Sequence, residues 1–447
     1  MFFPLRWQSN KNVLFIIPEL SSIFPNGVED SQDVDVIHPP LGVLYLSSYC
    51  KSNGYRTFVI DQMSGNYYNE EKLIDFIQFN HINIVGISCT MSAVFDEALK
   101  YATICKNQGC VTVLGGAHVS ATIESSVNNW AIDIVSYGEG ENTWIELLKC
   151  LNSGLSISGV QGIAYKNLLG KIIIEKRRNL ISNLDSIPFP DYDAIDIKKY
   201  IDLEALGIIT SRGCSNHCTF CTSYCTWEQK VRFRSPENII SEIDWLVKKY
   251  DYGGKELLFY DDNFTLNKKR VLKFCELLCK KNYKIKWKCM SRVNGIDIEL
   301  FEAMKEAGCY SVSFGFESGV EKSLKMMGKG ITLDDIEKAI DICVQTGIEA
   351  YGYFIIGFPW ETREDFNTTV DFIINHPQIN PALNFLTPYP GTTYYEEPEK
   401  WGITIDKDWK KYTNLSVVMT TNNYSIQDLF DSYTRYLIYM EGKQHET

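Results

Sequence analysis

The chain has 447 residues, of which 45% are hydrophobic and 22% charged, and its net charge at pH 7 is −12. This composition is typical of a globular protein with more than one domain, and the acidity argues against a broad nucleic-acid-binding face. The N-terminus lacks the basic and apolar pattern of a signal peptide, and no run of about 18 apolar residues predicts a membrane span. We therefore expect a cytoplasmic protein in which most of the fourteen cysteines are small buried side chains.

The first third of the chain alternates between short apolar runs and amphipathic segments. Strands are predicted at residues 13–17, 57–61, 84–88, 112–114 and 132–136, and helices at 41–53, 70–78, 93–107 and 143–151. Short β-branched runs of this kind are typical of strands buried on both faces of a parallel sheet. Residues 1–155 are thus predicted to form a Rossmann-like, doubly wound α/β domain.

A connecting segment and a second alternating series follow. Runs at 160–166 and 171–176 predict a β-hairpin, and a proline-stiffened stretch completes a linking segment at 156–204. Strands are then predicted at 206–211, 256–261, 285–291, 311–316, 350–356 and 382–387, and helices at 236–249, 268–281, 299–307, 333–346 and 363–375. Six β/α units predict an open, partial (β/α)6 barrel over residues 205–395. Residues 396–447 are expected to form a small helical cap.

Three cysteines follow the first strand of the second series. Cys214, Cys218 and Cys221 have the spacing C-x3-C-x2-C, and Cys225 lies outside this tight loop. Three thiolates bind three corners of a 4Fe–4S cluster and leave one iron open to a small molecule, whereas structural zinc usually takes four protein ligands. Zinc and three unrelated buried cysteines are the weaker alternatives. The strand end places the cluster where barrel active sites are built.

With this motif, the second domain resembles the radical S-adenosylmethionine (SAM) superfamily. The matching stretches include FYDDNFT at 259–265, GFESG at 315–319, GFPWET at 357–362 and PYPGT at 388–392. The resemblance implies that SAM chelates the open iron through its amino and carboxylate groups. One electron then cleaves SAM to a 5′-deoxyadenosyl radical, and an external donor such as flavodoxin or ferredoxin supplies that electron.

Polar residues end successive strands of the predicted barrel, where they are expected to bind SAM. They are Asp261, Asp262 and Asn263, whose carboxylates or neighbouring backbone are expected to meet the ammonium group, Arg292 for the carboxylate, and Glu317 and Ser318 for the ribose hydroxyls. Phe220, just before the last cysteine, is expected to flank adenine. Gly357 lets the backbone approach a ligand closely.

The N-terminal domain resembles the cobalamin-binding domain that precedes many radical SAM barrels. The matching stretches are PPLG at 39–42, GISCT at 86–90, LGGAH at 114–118 and GEGE at 138–141. The candidate cobalamin-binding residues are Ser88, Thr90, Gly115, Gly116, Gly138, Glu139 and Gly140. The motif D-x-H-x-x-G, which carries a cobalt-binding histidine, is absent, and the loop after the first strand begins with residues 18–22. His38 and His118 are weaker candidates for an axial ligand, and an empty pocket is the alternative.

The leading hypothesis is methylation of an unactivated carbon through a deoxyadenosyl radical and methylcobalamin. A radical reaction without methylation, such as cyclisation, dehydration, dehydrogenation or ring contraction, is the main alternative. Methylthiolation is disfavoured because, of the five N-terminal cysteines, only Cys105 and Cys110 are close in sequence, and a cofactor sensor is the last option. The sequence does not decide whether the substrate is a small molecule or a peptide.

Overall fold

The computed structural model describes residues 11–19, 38–64 and 68–444. The chain divides into two compact units, Met1–Leu206 with Cys225–Glu228 and Gly207–Tyr224 with Gln229–Thr447. Among the described helices, none has both the length and the hydrophobicity needed to cross a lipid bilayer.

Within the described residues, the first unit is built on a seven-stranded sheet. Its strands are β1 Asn12–Ile17, β2 Arg56–Asp61, β3 Ile84–Ser88, β4 Val111–Gly115, β5 Ile134–Ser136, β6 Ile163–Lys166 and β7 Ile172–Ile174. The order across the sheet is β2-β1-β3-β4-β5-β6-β7, and β1 to β5 are parallel. The strand order reverses between β1 and β3, and doubly wound sheets bind ligands at the carboxyl ends of the strands beside such a reversal.

Helices cover both faces of this sheet, which confirms the doubly wound prediction. They are α1 Leu41–Ser52, α2 Glu70–Phe79, α3 Phe95–Asn107, α4 Ala117–Ala121, α5 Ile123–Asn128, α6 Glu141–Asn152 and α7 Ile197–Asp202. Leu14 of β1 joins one hydrophobic core with α2 and α3, whereas its neighbour Phe15 joins another with α1 and α6. Successive side chains of a strand point to opposite faces, so the apolar run of β1 supplies both cores.

The predicted hairpin forms, but assigning it to a linking segment was wrong. Strand β6 pairs antiparallel with β5, and β7 pairs antiparallel with β6. The hairpin therefore extends the sheet of the first unit and makes it mixed. A hairpin can be recognised from its own residues, whereas the sheet edge that it joins depends on β5, which lies well before it in the chain.

The second unit contains an open parallel sheet. The strands after residue 206 are β8 Gly207–Ile208, β9 Ser211–Arg212, β10 Arg232–Phe233, β11 Glu256–Phe259, β12 Lys286–Ser291, β13 Cys309–Glu317, β14 Glu349–Ile356, β15 Ile379–Phe385, β16 Ile403–Ile405 and β17 Met419–Thr421. In the described residues, the main sheet has the order β15-β14-β13-β12-β11-β8, with every neighbouring pair parallel. The first predicted strand, 206–211, is divided, because Ser211 and Arg212 pair antiparallel with β10.

Helices separate these strands, and five of them lie at the predicted places: α9 Pro236–Tyr250, α10 Lys268–Cys279, α11 Ile298–Glu306, α13 Leu333–Thr346 and α14 Arg363–Asn375. No separate bounds were predicted for the others, which are α8 Ser223–Trp227, α12 Glu321–Met326, α15 Thr393–Glu396 and α16 Ile426–Gln444. Thr332 and Thr362 form capping boxes with Asp335 and Asp365, so local side chains fix where α13 and α14 begin.

The C-terminal region is not purely helical, which corrects the prediction of a helical cap. Strands β16 and β17 form an antiparallel ribbon, and only α16 is a long helix. The Tyr436 hydroxyl donates to the Pro381 carbonyl of β15 at 3.0 Å, and the Tyr433 ring lies 4.8 Å from that of Phe385. Helix α16 therefore packs over β15, the edge strand of the open sheet.

Candidate active site

The three cysteines of the predicted cluster lie on the loop after β9. Cys218 is buried, and Cys214 and Cys221 are half-buried. All fourteen cysteines of the chain, which fall within the described residues, are free thiols. Burial, with smaller contributions from the negative charges of Cys218, Asp262 and Cys214, raises the pKa of the Cys221 thiol to about 11.

These three thiols are not arranged as the ligands of a single metal ion. In the part of the chain that the structure describes, no group of three or more His, Cys, Asp or Glu side chains has metal-binding geometry. The donor set nevertheless fits a 4Fe–4S cluster, because three thiols share one short loop and lie close enough to affect one another's charge. Uptake of iron has to displace the protons of these thiols.

Each of the three sulfurs has an N–H donor beside it. The Asn216 side-chain nitrogen lies 3.5 Å from the Cys214 sulfur. The Arg292 Nη1 lies 3.7 Å from the Cys218 sulfur, and the Ser223 backbone nitrogen lies 3.4 Å from the Cys221 sulfur. Each donor therefore favours the charged thiolate that iron requires.

Asp261 holds the backbone that leads into the cysteine loop. Its carboxylate accepts hydrogen bonds from the Thr210 amide at 2.6 Å, the Ser211 amide at 3.0 Å and the Ser211 hydroxyl at 2.7 Å. The Thr210 hydroxyl also donates to it, and Arg270 lies 3.5 Å away. Asp261 is completely buried, so its carboxylate is occupied inside the protein. The Asp261 side chain is turned inward, and contact of this strand end with the SAM ammonium, through another carboxylate or the backbone, stays a prediction.

Glu317 ends β13 in a left-handed backbone conformation, with φ of +67°. This conformation is uncommon for a residue other than glycine. Its Oε1 accepts a hydrogen bond from Lys329 Nζ at 2.5 Å, and both side chains are buried. A Cβ at Gly315 would lie 2.3 Å from Glu317 Oε1 and 2.6 Å from Lys329 Nζ. The ion pair therefore needs a glycine at position 315.

Sequence analysis missed Lys329, which lies near three predicted site residues. Besides its bond to Glu317, its Nζ lies 5.9 Å from the centre of the Phe220 ring. Its backbone carbonyl accepts a hydrogen bond from the Arg292 guanidinium. Gly328 and Gly330 flank it with φ of +67° and +69°. The available signal was a lysine between two glycines in the connection from α12 to α13.

The loop carrying Lys329 also contacts the cysteine loop directly. The Thr219 backbone nitrogen donates to the Met327 carbonyl at 2.9 Å. The Thr219 hydroxyl lies 3.2 Å from the same carbonyl and donates to or accepts from the Tyr394 hydroxyl at 2.5 Å. The cysteine loop is thus tied to a segment more than one hundred residues later in the chain.

Asp262 and Asn263 lie at the same strand end as Asp261 but differ in exposure. Asp262 is exposed, and its carboxylate accepts from the Ser223 hydroxyl at 3.1 Å. Asn263 is buried, and its side-chain oxygen accepts from the Arg292 backbone nitrogen at 3.3 Å. Asp262 is therefore the accessible carboxylate of this strand end, whereas Asn263 positions the residue that carries the guanidinium.

Ser318 and Gly357 lie at their predicted strand ends, but both face other parts of the protein. Ser318 is buried, and its hydroxyl lies 3.2 Å from that of Thr369 on α14. Gly357 has φ of +98°, and a Cβ there would lie 3.4 Å from the Leu429 side chain of α16. Its carbonyl accepts from the Tyr424 hydroxyl at 2.5 Å. Neither contact supports the expected approach to a ligand.

In the first unit, four predicted residues line the carboxyl edge of the parallel strands. Ser88 ends β3, Gly115 ends β4, and the two residues are paired across the strands. Ser88, Gly115 and Gly116 are half-buried, and Thr90 is exposed. Gly116 has φ of +127°, and a Cβ there would lie 2.3 Å from the Cys89 carbonyl oxygen. This accessible, side-chain-poor edge fits a large flat ligand such as cobalamin.

The other predicted residues of this unit, Gly138 to Gly140, follow β5. Gly138 is half-buried with φ of +74°. Glu139 is buried, and its carboxylate accepts from the Ile181 backbone nitrogen at 2.7 Å. A Cβ at Gly140 would lie 2.9 Å from the Leu46 side chain. Gly138 leaves space at the edge, whereas Glu139 and Gly140 serve internal packing.

The candidate axial histidines differ in environment. His118 is buried, its Nδ1 lies 2.8 Å from the Ser92 hydroxyl, and its ring packs 4.9 Å from that of Phe95. Burial lowers the pKa of His118 to about 4, so this ring is neutral at physiological pH. His38 is half-buried. In the loop after β1, residues 20–22 lie outside the described residues.

Comparison with known proteins identifies both domains. Residues 208–373 match the radical SAM superfamily, and residues 32–148 match the B12-binding domain. An uncharacterized methyltransferase of Pyrococcus horikoshii is 36% identical over 422 residues, covering 93% of this chain and 89% of the relative. An anaerobic magnesium-protoporphyrin IX monomethyl ester cyclase of Rubrivivax gelatinosus is 28% identical over 425 residues, covering 92% of this chain and 75% of the relative.

A solved structure has the same fold. The radical SAM methyltransferase TsrM of Kitasatospora setae, with cobalamin and a 4Fe–4S cluster bound, superposes with a TM-score of 0.74 at 16% identity. The match covers 89% of this chain and 77% of that protein. The cofactors of the family are a 4Fe–4S cluster, SAM and cobalamin. The chain belongs to the radical SAM enzymes in which a B12-binding domain precedes the barrel.

Proposed function

We propose that this enzyme transfers a methyl group to an unactivated carbon of its substrate. One observation carries the proposal: at the strand ends of the barrel, the cysteine loop lies against Arg292 and the loop of Lys329. Two cations beside a cluster loop support a site for the SAM carboxylate. The methyltransferase relative that is 36% identical supports methyl transfer as the outcome.

Different residues of the barrel bind the cluster and SAM. Cys214, Cys218 and Cys221 hold the cluster, and Arg292 with Lys329 holds the SAM carboxylate by charge-assisted hydrogen bonds. Glu317 orients Lys329 and accepts a hydrogen bond from a ribose hydroxyl. When bound, the cluster supplies the single electron that cleaves SAM, and cobalamin supplies a methyl carrier.

Burial makes these interactions effective. Arg292 and the Glu317–Lys329 pair are nearly excluded from solvent. Charges interact more strongly where water is excluded, so a carboxylate placed between the two cations is held firmly. Excluding water also limits side reactions of reactive intermediates. In the first unit, Ser88, Thr90, Gly115 and Gly116 form the surface that we assign to cobalamin.

A second candidate is a radical reaction without methyl transfer, such as ring closure. The observation that favours it is the relative from Rubrivivax gelatinosus, a cyclase that aligns with 92% of this chain. Both candidates use the same cluster and SAM residues. They differ in whether the substrate gains a methyl group.

The function is tested with protein that is purified and reconstituted without oxygen. We expect about four irons per chain, one bound cobalamin, and formation of 5′-deoxyadenosine when SAM and a reductant are added. Cys214→Ala should lose the cluster and this activity, whereas Cys279→Ala, which alters an exposed cysteine of α10, should keep both. Iron without cobalamin after incubation with hydroxocobalamin would overturn the methyl-transfer proposal.

The type of reaction is then read from product masses. With SAM labelled on its methyl group, a methyltransferase incorporates the label into the product, whereas a cyclase leaves the product unlabelled. We propose a flavodoxin or ferredoxin as the electron donor and a small molecule or peptide as the substrate. A reducing cytoplasmic setting suits fourteen free thiols and an iron–sulfur cluster.

A further inference from the structure

The three N–H donors at the cysteine sulfurs are chemically unequal. The Arg292 donor at Cys218 carries a positive charge, and the Ser223 donor at Cys221 belongs to the backbone. The donor at Cys214 is the neutral side-chain amide of Asn216, which lies 3.5 Å from the sulfur and is half-buried. Asn216 is therefore the donor that a substitution can remove without changing either charge or backbone.

We propose that Asn216 tunes the reduction potential of the cluster through its hydrogen bond to the Cys214 sulfur. The inference rests on the proposed function, because it requires the three cysteines to hold a 4Fe–4S cluster. An N–H group beside a cluster sulfur stabilises the additional negative charge that the cluster carries after reduction. Asn216 thus raises the potential and eases the uptake of one electron from the external donor.

The charges around the cysteine loop explain why such a donor is useful. The Asp262 carboxylate acts on Cys221 and accepts a hydrogen bond from Ser223. A carboxylate near the cluster opposes the arrival of a further electron, whereas the Arg292 guanidinium at Cys218 favours it. At Cys214, the N–H group of Asn216 favours reduction of the cluster, as the Arg292 guanidinium does at Cys218. Asn216 is a positioning and tuning residue, since its contact is with a cluster ligand.

The test is the midpoint potential of the reconstituted cluster, measured by a redox titration that is followed by electron paramagnetic resonance without SAM. Asn216→Leu removes the donor at similar volume and should lower the potential. Asn216→Asp replaces the donor by a negative acceptor and should lower it further. Asn216→Gln keeps an amide N–H and should lie closer to the wild type. Ser215→Ala, at an exposed neighbouring position of the same loop, is the matched control and should leave the potential unchanged.

The outcomes separate this inference from the proposed function. A wild-type chain that binds no cluster overturns both. A wild type and variants that each bind about four irons with equal potentials overturn only the role of Asn216. If leucine disturbs the loop and reduces the iron content, Asn216→Ala, whose side chain has no hydrogen-bond donor, provides the same comparison. The ranking Asn, Gln, Leu, Asp from highest to lowest potential supports the inference.

Discussion

Asp261 fixes Thr210 at two points, since its carboxylate accepts both the backbone amide and the side-chain hydroxyl of that residue. Thr210 lies four positions before the first cluster cysteine. We expect Asp261→Ala to destabilise the protein by about 3–5 kcal/mol, because it leaves buried donors without their acceptor and Arg270 without a neighbouring negative charge. Iron content after reconstitution should also fall. Thermal unfolding and iron analysis measure the two losses. Asp371→Asn, which alters an exposed ion pair, is the control and should change stability and iron content little.

The Glu317–Lys329 pair should show strong energetic coupling. Lys329→Met leaves a buried carboxylate without its cation, and Glu317→Gln leaves a buried ammonium without its anion. Each change should cost about 3–5 kcal/mol, whereas the double variant should cost clearly less than the sum. Urea unfolding of the four proteins measures the coupling. Strictly additive losses would show that the two side chains do not depend on each other.

Glu361 should make stability depend on pH. It is completely buried, accepts hydrogen bonds from the Gly357 and Phe358 amides, and has a pKa raised by burial to about 7 from its usual 4.5. Folding therefore favours the protonated form. The resulting stabilisation of the folded state is fully present below pH 4.5 and is lost as the pH rises through 7. The total loss in the free energy of unfolding is on the order of 3 kcal/mol. Unfolding between pH 4.5 and 8 measures the change, and in Glu361→Gln this part of the pH dependence should disappear.

Gly116 should not tolerate a side chain. In Gly116→Ala, the new Cβ would collide with the Cys89 carbonyl, and φ of +127° is unfavourable for alanine. We expect weaker cobalamin binding and lower stability, measured by absorbance titration with hydroxocobalamin and by thermal unfolding. Gly442→Ala in α16 is the matched control, because no atom lies within 4 Å of its Cβ position. It should bind cobalamin normally and gain up to about 1 kcal/mol in stability. Equal cobalamin binding by the two variants would contradict the assignment of this strand edge to cobalamin.

Most of the architecture follows from local sequence patterns. The run at residues 84–88 predicts β3 with its observed bounds, and the pattern at 333–346 predicts α13 likewise. Such segments are predictable because alternating or helical burial and capping side chains act over a few residues. The place of the β6–β7 hairpin was missed, because pairing with β5 is a contact between distant segments.

The candidate site was predictable in position but not in side-chain direction. A strand end places Asp261 at the correct edge of the barrel, yet the carboxylate turns towards Thr210 rather than a ligand. Lys329 joins the site only because the chain folds it against Glu317 and the cysteine loop. The two glycines beside Lys329 mark a turn but do not reveal these long-range contacts, whereas the spacing of the three cysteines is entirely local.

The attachment of the cysteine loop to later segments sets an order of events during biogenesis. Thr219 is bound to Met327, and the donor beside Cys218 is Arg292, which itself binds the Lys329 carbonyl. A nascent chain that ends soon after Cys221 has the three thiols but none of these partners. We therefore expect stable insertion of the cluster to follow synthesis and folding of the barrel through α12 and the loop of Lys329. Iron–sulfur assembly proteins are then expected to act on a largely folded chain.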